Sequence, residues 1–434
     1  MTPERLVLHK GSVLPMDSDR VLGNTDVLIE GGRITAVQPG RPAGDYGDAR
    51  LVDCRGRFIM PALTDMHVHL FNDEFLDYLL SWGVTTVLNM WGFPKILRWR
   101  DEVRAGKRLG PDIYSTGPII DSLPTYPLIS LARTREEARR AVLETKAAGY
   151  DFVKIYNNLS PEVYEEIAKT AAGAGIEVIG HLPNCVNADY TGEARGDYPL
   201  RQKTIEHALF LNEYNIDPAI KAGVWLDPTF VVEAAFRDEG YALPPEVLAE
   251  LRPLIVKFYW RIVGGQHKQP VEGRQKTVRK GIDYMGARFK DFAARGGKLL
   301  IGTDSGFPRV VPGYSMHQEL AYIVAQGLSP YEALHRATAG AAGFLGRNGD
   351  AGTVAAGKSA ELLVLDKNPL EDIRNTLSIH ALVKREQFLS AQDLAAIRRR
   401  ARRRSEFQVH TVFRPYMFKL PFIMLFKGLF PKKS

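Results

Sequence analysis

Cysteine is almost missing from this chain: only Cys54 and Cys185 occur in 434 residues. Two thiols cannot build a disulfide framework, and a cysteine-rich structural zinc site is excluded with it. Collagen-like, coiled-coil and disordered biases are absent too; hydrophobic and charged fractions of 45% and 25% are those of a globular protein with a sizeable core. The opening "MTPERLVLHKG" shows no charged-then-apolar segment, so a cytoplasmic location is expected. The formal charge of +7 is local: residues 384 to 434 hold 13 of the 57 Lys and Arg but 3 of the 50 acids, leaving 44 bases against 47 acids for the rest. A nearly neutral body excludes a nucleic-acid-binding surface there and concentrates the basic character in a tail.

What is present is an order of short apolar runs. "LVLHKGSVL" and "DVLIEGGRITAV" read as strands, with Gly31 and Gly32 marking a tight hairpin. From about residue 63 the pattern becomes apolar strand followed by amphipathic helix. Eight candidate strands end in "TDMHVHL", "TTVLNMW", "DIYSTGP", "DFVKIY", "EVIGHLP", "TIEHAL", "WLDPTF" and "KLLIGTD". Helices such as "TREEARRAVLETKAAG" and "SPEVYEEIAKTAAGAG" begin at a Thr or Ser cap and close at glycine. Eight βα units predict an α/β fold, a (β/α)8 TIM barrel, over 61–349. The β-rich pattern returns after it, so 1–60 and 350–390 are expected to build one small β-sandwich domain from both ends of the chain. The long connection over 232–295 is expected to cover one mouth of the barrel.

In "LTDMHVHL" strand alternation puts His67 and His69 on one face, with Asp65 beside them. Two imidazoles on one face can grip one metal ion, although an isolated pair of this spacing is equally an ordinary strand feature. The carboxyl ends of the other strands add Lys154, His181, His207 and Asp304. In a barrel these ends converge, which makes a divalent-metal site from imidazoles and carboxylate. His9, His317, His335 and His380 read as structural, and Cys185 as a packed or loop thiol without an orienting base.

"FIMPALTDMHVHL", "GVTTV", "VKIY", "GHLP", "IEHA", "GTDSG" and "AGKSAELLVLD", in this order over roughly residues 5 to 390, resemble the metal-dependent amidohydrolase superfamily, within it the imidazolonepropionase-like and Xaa-Pro dipeptidase (prolidase-like) group. The resemblance implies that His67, His69 and Asp304 hold one metal and His181 and His207 a second, zinc in both places, with a carboxylated Lys154 as the bridge. It implies a hydrolase in which metal-activated hydroxide attacks an amide or peptide-type carbonyl, the substrate being of the dipeptide or N-acyl amino acid class, and Asp304 is the general base. Superfamily deaminases carry a glutamate three residues after the histidine of strand five, and this chain has Asn184 there, so amide hydrolysis is favoured over deamination. A mononuclear cyclic-amide hydrolase or lactonase and a non-catalytic scaffold are the alternatives. Leu88 and Asn89 stand where many prolidase-like relatives read arginine and aspartate, and Glu361 stands where aspartate is usual. Two small-residue glycines in "GTDSG" are expected to let substrate approach Asp304. Tyr156, two residues after Lys154, is expected to face the site, where a substrate hydrogen bond and barrel packing are both open.

Residues 391–434 form the basic, aromatic tail: an arginine-rich helical stretch, then an apolar segment broken by Pro415, Lys419 and Pro421. An anchor on an anionic membrane surface and a belt packed on the protein or on a partner subunit both fit it, and RNA binding is disfavoured because no stacking platform accompanies the arginines. The expected partners are thus a small-molecule substrate, no nucleic acid, peripheral membrane contact through the tail, and a second copy in a homo-oligomer.

Overall fold

Eight parallel strands follow the apolar runs: β1 (Leu63–Val68), β2 (Val84–Asn89), β3 (Asp112–Ser115), β4 (Phe152–Ile155), β5 (Glu177–Gly180), β6 (Thr204–Glu206), β7 (Trp225–Asp227) and β8 (Lys298–Leu299). Every residue of β1, β2 and β4 is buried, so both faces of these strands are covered and the polar side chains they carry, Asp65, His67 and Lys154 among them, lie inside the protein. The computed structural model describes residues 5–126, 128–185, 200–237, 243–250, 281–307 and 309–408. Helices lie between the strands where caps predict them. Arg135–Ala147 opens with a capping box between Thr134 and Glu137, and Pro161–Ala174 begins at the Ser160 cap and stops at Gly175 in the left-handed conformation.

The arrangement is TIM-barrel-like, and it differs from one continuous eight-stranded ladder. Among the described residues the strands fall into three parallel sheets: β1, β2 and β3 in one; β4 and β5 with the two-residue pieces Ile120–Asp121 and Ser130–Leu131 in another; β6, β7 and β8 in a third. Isolated backbone bonds cross between all three sheets, among them Lys203 N to Val178 O (2.7 Å), Met66 N to Ile301 O (3.0 Å) and Gly117 N to Phe152 O (3.0 Å). Two site residues adopt positive φ where the chain leaves the strands: His207, directly after β6, and Asp304, shortly after β8, have φ of 71° and 59°.

Strands from both chain ends share one sheet. Its order is Gln387–Ser390, Ile379–Lys384, Glu361–Leu365, Phe58–Pro61, Leu6–Val13, Leu22–Glu30 and Arg33–Pro39, with Arg50–Asp53 also pairing Leu6–Val13. The eight strands hydrogen-bond as a single sheet rather than as two facing ones. The hairpin at Gly31 and Gly32 is present, both residues having positive φ. Of the 232–295 connection, helices Phe230–Arg237, Pro245–Glu250 and Gly281–Ala294 are described, and the expected cover over 238–242 and 251–280 lies outside the described residues. The arginine-rich stretch is the helix Ala391–Gln408. It buries Leu394, Ile397 and Ala401, Arg398 donates to Ser81 O (3.0 Å), and its guanidinium lies 4.5 Å from the Trp82 ring centre. The start of the tail is therefore docked on the barrel-like body; residues 409–434 lie outside the described residues. No helix among the described residues is long and apolar enough to cross a membrane.

A buried ion network joins the terminal sheet to the first residues of β2 and β3. Lys384 Nζ donates to Thr85 O and to Glu361 Oε1, both at 3.0 Å, and lies 3.2 Å from Asp112 Oδ2. Arg385 reaches Asp112 Oδ1 at 2.7 Å, Arg347 lies 3.3 Å from Asp112 Oδ2, and Thr85 donates to Glu361 Oε2 at 3.0 Å. Glu361, the departure noted in the sequence, thus faces Lys384 across paired strands and serves the fold. Lys384→Met is expected to lower stability by about 3–5 kcal/mol in urea denaturation, because it leaves buried carboxylates uncompensated. Burial works to raise the Asp112 carboxyl, and Lys384, Arg385 and Arg347 together bring it below its ordinary value of 3.8. Its stabilisation is therefore complete above the ordinary carboxylate range and lost as pH falls through the lowered value. Asp112→Asn should show a shallower loss of stability than wild type between about pH 5 and about pH 3.

Candidate active site

The strand ends bring the two histidine groups together. His69 Nε2 lies 2.9 Å and His67 Nε2 3.4 Å from Asp304 Oδ1. His181 and His207 face each other Nε2 to Nε2 at 3.0 Å, and the His67 and His207 rings are 5.2 Å apart. Donor atoms of His67, His207 and Asp304 all lie within 4.8 Å of one another. Lys154, 1% exposed, is close enough to Glu206, Asp304 and Asp227 for their charges to act on it. The two expected groups are thus one cluster.

Three of the four imidazoles are oriented from behind, whereas His69 Nδ1 has no hydrogen-bond partner among the described residues. Asn157 Oδ1 is 2.7 Å from His181 Nδ1, and Glu206 Oε2 is 2.8 Å from His67 Nδ1. Both partners are acceptors, so Nδ1 carries the proton and Nε2 keeps its lone pair toward the cluster. Thr229 Oγ1 holds His207 Nδ1 at 2.6 Å. Burial pushes His207 down to about 3, and burial, then the charge of His207, depresses His181 well below the usual histidine range. Both rings are neutral at neutral pH, as metal ligands must be. Burial acts to raise Asp304, but His67, His69 and His207 hold it below the ordinary carboxylate range.

Glu206 and Asp227 escaped the sequence reading. With His67 their donor atoms form a second buried group within 4.8 Å. The available signal was an acid inside each of the apolar runs "TIEHAL" and "WLDPTF". Asp65 accepts from Thr303 N (3.0 Å), Thr303 Oγ1 (2.7 Å) and His67 N (3.2 Å), so it ties "GTD" to "DMH". Burial raises its carboxyl to about 7.

Gly302 has a role other than substrate access. A Cβ there would sit 2.3 Å from Asp227 Oδ2 and 2.5 Å from the His67 Cβ, so glycine lets the chain after β8 close against β1 and β7. Tyr156 stacks 4.0 Å from the His181 ring and its hydroxyl donates to Tyr126 at 3.3 Å. Asn184 is exposed, so no side chain at that position enters the cluster. His317 is held by Thr376 Oγ1 and Trp82 O, both at 2.9 Å; His9 and His380 lie 3.0 and 3.1 Å from Asp26 and Asp366; His335 packs on Tyr331. Burial pushes the Cys185 thiol up to about 11, which leaves it unreactive.

The donor set fits divalent cations, and one atom argues for them directly. Lys154 Nζ is buried with no hydrogen-bond partner among the described residues, and burial lowers its pKa against the pull of Glu206, Asp304 and Asp227. An orphaned buried amine costs roughly 1–3 kcal/mol in a protein kept for stability alone. Lys154→Met is therefore expected to raise the melting temperature of chelator-treated protein in calorimetry, the opposite of an ordinary core substitution.

A sequence model of the amidohydrolase family matches residues 58–387. The chain belongs to the amidohydrolase family. It is 22% identical over 383 residues to adenine deaminase 3 of Rhizobium meliloti, 83% of this chain and 55% of that protein. It is 23% identical over 398 residues to an adenine deaminase of Rubrobacter xylanophilus, 87% of this chain and 57% of that protein. The chain thus spans about half the length of these curated relatives. Among solved structures it is similar to a Xaa-Pro dipeptidase with bound methionine (TM-score 0.71, 20% identity, 89% of this chain and 100% of that one) and to the bottromycin amidohydrolase (TM-score 0.73, 22% identity, 91% and 90%). At these identities the structural likeness speaks for the fold.

Proposed function

We propose that this amidohydrolase is a divalent-metal-dependent hydrolase of carbon–nitrogen bonds, acting on an amide or peptide-type bond in a small dipeptide or N-acyl amino acid. The observation that carries the reading is the orphaned Lys154 amine within a cluster of four neutral or neutralisable imidazoles and Asp304. His67, His69 and Asp304 would hold one cation, His181 and His207 a second, zinc being the first candidate for both. A divalent cation bound there supplies Lewis acidity and lowers the pKa of water. Burial favours the neutral amine of Lys154, the form that adds carbon dioxide with loss of a proton. A carbamate formed there would replace an ammonium by anionic oxygens, the kind of donor that divalent cations take. Asp304 takes a proton from water at a carboxylate oxygen and returns it to the leaving nitrogen. Glu206 keeps His67 in the tautomer that presents Nε2.

Deamination is the second reading, favoured by the adenine deaminases among the sequence relatives. Against it stands Asn184, exposed and without a carboxylate. In this account residues 61–349 carry the chemistry, and the sheet from 1–60 and 350–390 supports them.

The deciding experiment is elemental analysis of protein prepared in bicarbonate without chelator, together with assays on N-acyl amino acids, dipeptides and adenine. About two metals per chain, falling to one or fewer in Lys154→Ala, with amide hydrolysis lost in Asp304→Asn by at least about a hundredfold, is the expected result. One metal in both proteins with ammonia release from adenine overturns the binuclear amidase in favour of deamination.

A further inference from the structure

An unbroken series of aromatic contacts runs from one expected metal group to the other. Trp91 meets the His69 ring edge-on at 6.2 Å, Tyr126 lies 5.3 Å from Trp91, Tyr156 5.7 Å from Tyr126, and His181 4.0 Å from Tyr156. Phe71 stacks parallel to His69 at 5.9 Å, and Phe307 stands edge-on to it at 5.1 Å. Apart from the two histidines, the five side chains come from the segments after β1, β2, β3, β4 and β8, the end of a barrel-like body where substrate is bound.

Two features separate this arc from core packing. Phe71, Tyr126, Tyr156 and Phe307 are half-buried, so the arc keeps an accessible side, whereas core rings such as Phe230 and Phe289 are fully covered. Trp91 is 7% exposed, yet its Nε1 has no hydrogen-bond partner among the described residues. A buried indole N–H usually finds an acceptor. The acceptor it calls for is absent among the described residues, and Phe71, Tyr126, Tyr156 and Phe307 bring no charge to the arc.

Building on the hydrolase reading, we propose that this arc is a substrate subsite for a planar aromatic group attached to the bond that is cleaved, and that Trp91 Nε1–H donates to a carbonyl oxygen next to that group. Phe71 and Phe307 flank the ring, and Trp91 selects substrates that bring an acceptor. The favoured substrates are aromatic acyl compounds, with aliphatic acyl compounds of equal size bound more weakly because they lack a flat face.

The test measures binding rather than turnover, on the metal-loaded full chain, by ligand-observed NMR with benzamide and cyclohexanecarboxamide as probes. Benzamide is expected to bind about tenfold more tightly than cyclohexanecarboxamide, from two or three aromatic contacts. Trp91→Phe, which keeps a ring and removes the N–H, is expected to weaken benzamide about five- to tenfold with metal content unchanged. Phe307→Leu, as an independent variant, should narrow the gap between the two probes. Equal affinity for both probes, or no effect of Trp91→Phe, overturns the subsite. The two readings fail differently: amide hydrolysis without aromatic preference removes only the subsite, and tight benzamide binding without any amide hydrolysis removes only the hydrolase.

Discussion

Charge buried away from water has to be compensated, and this chain is organised around two places where it is. At one end of the parallel strands, Lys384 is 5% exposed and meets Thr85 O, Glu361 and Asp112 within 3.2 Å. At the other end, Lys154 is 1% exposed and has no hydrogen-bond partner among the described residues. The same residue type is fully satisfied where it serves the fold and left wanting where chemistry is expected. Burying an amine without a partner is tolerated only where something outside the chain completes it.

Much of the local geometry follows from that second cluster. Asp65, Glu206, Asp227 and Asp304 are all buried around the histidines: Asp65 accepts from Thr303 and from backbone N–H groups, imidazoles face Asp304, and burial followed by the charge of Glu206 pushes Asp227 well above its ordinary value. The left-handed residues His207 and Asp304 end their strands early and swing their side chains into the cluster, a strain of the kind concentrated at functional sites. Gly302 admits the close approach between the chain after β8, β1 and β7.

The eight strand ends, the capped helices and the six candidate ligands were legible in the sequence because each is a local pattern: an apolar run, a cap three residues from its partner, a polar residue where a strand stops. Glu206 and Asp227 were not legible. Both lie within strands, and what makes them part of the site is contact with residues distant in sequence, as between His67 and Glu206. The small residues of "GTDSG" were legible in the sequence, but the packing need at Gly302 was not, because it rests on a 2.3 Å approach to Asp227, far away in the chain. The arginines of the tail looked like a separate surface element, and the burial of Leu394, Ile397 and Ala401 on the opposite helix face was present in the sequence as a 3.6-residue period that the charge obscured.

The central claim is that the Lys154 cluster is completed by cations and by a carbamate. Crystals grown with zinc and bicarbonate, with diffraction recorded on both sides of the zinc absorption edge, test it most directly. The account predicts anomalous density among the His67, His207 and Asp304 donors and additional density bonded to Lys154 Nζ. A bare lysine with no anomalous signal among those residues would contradict it.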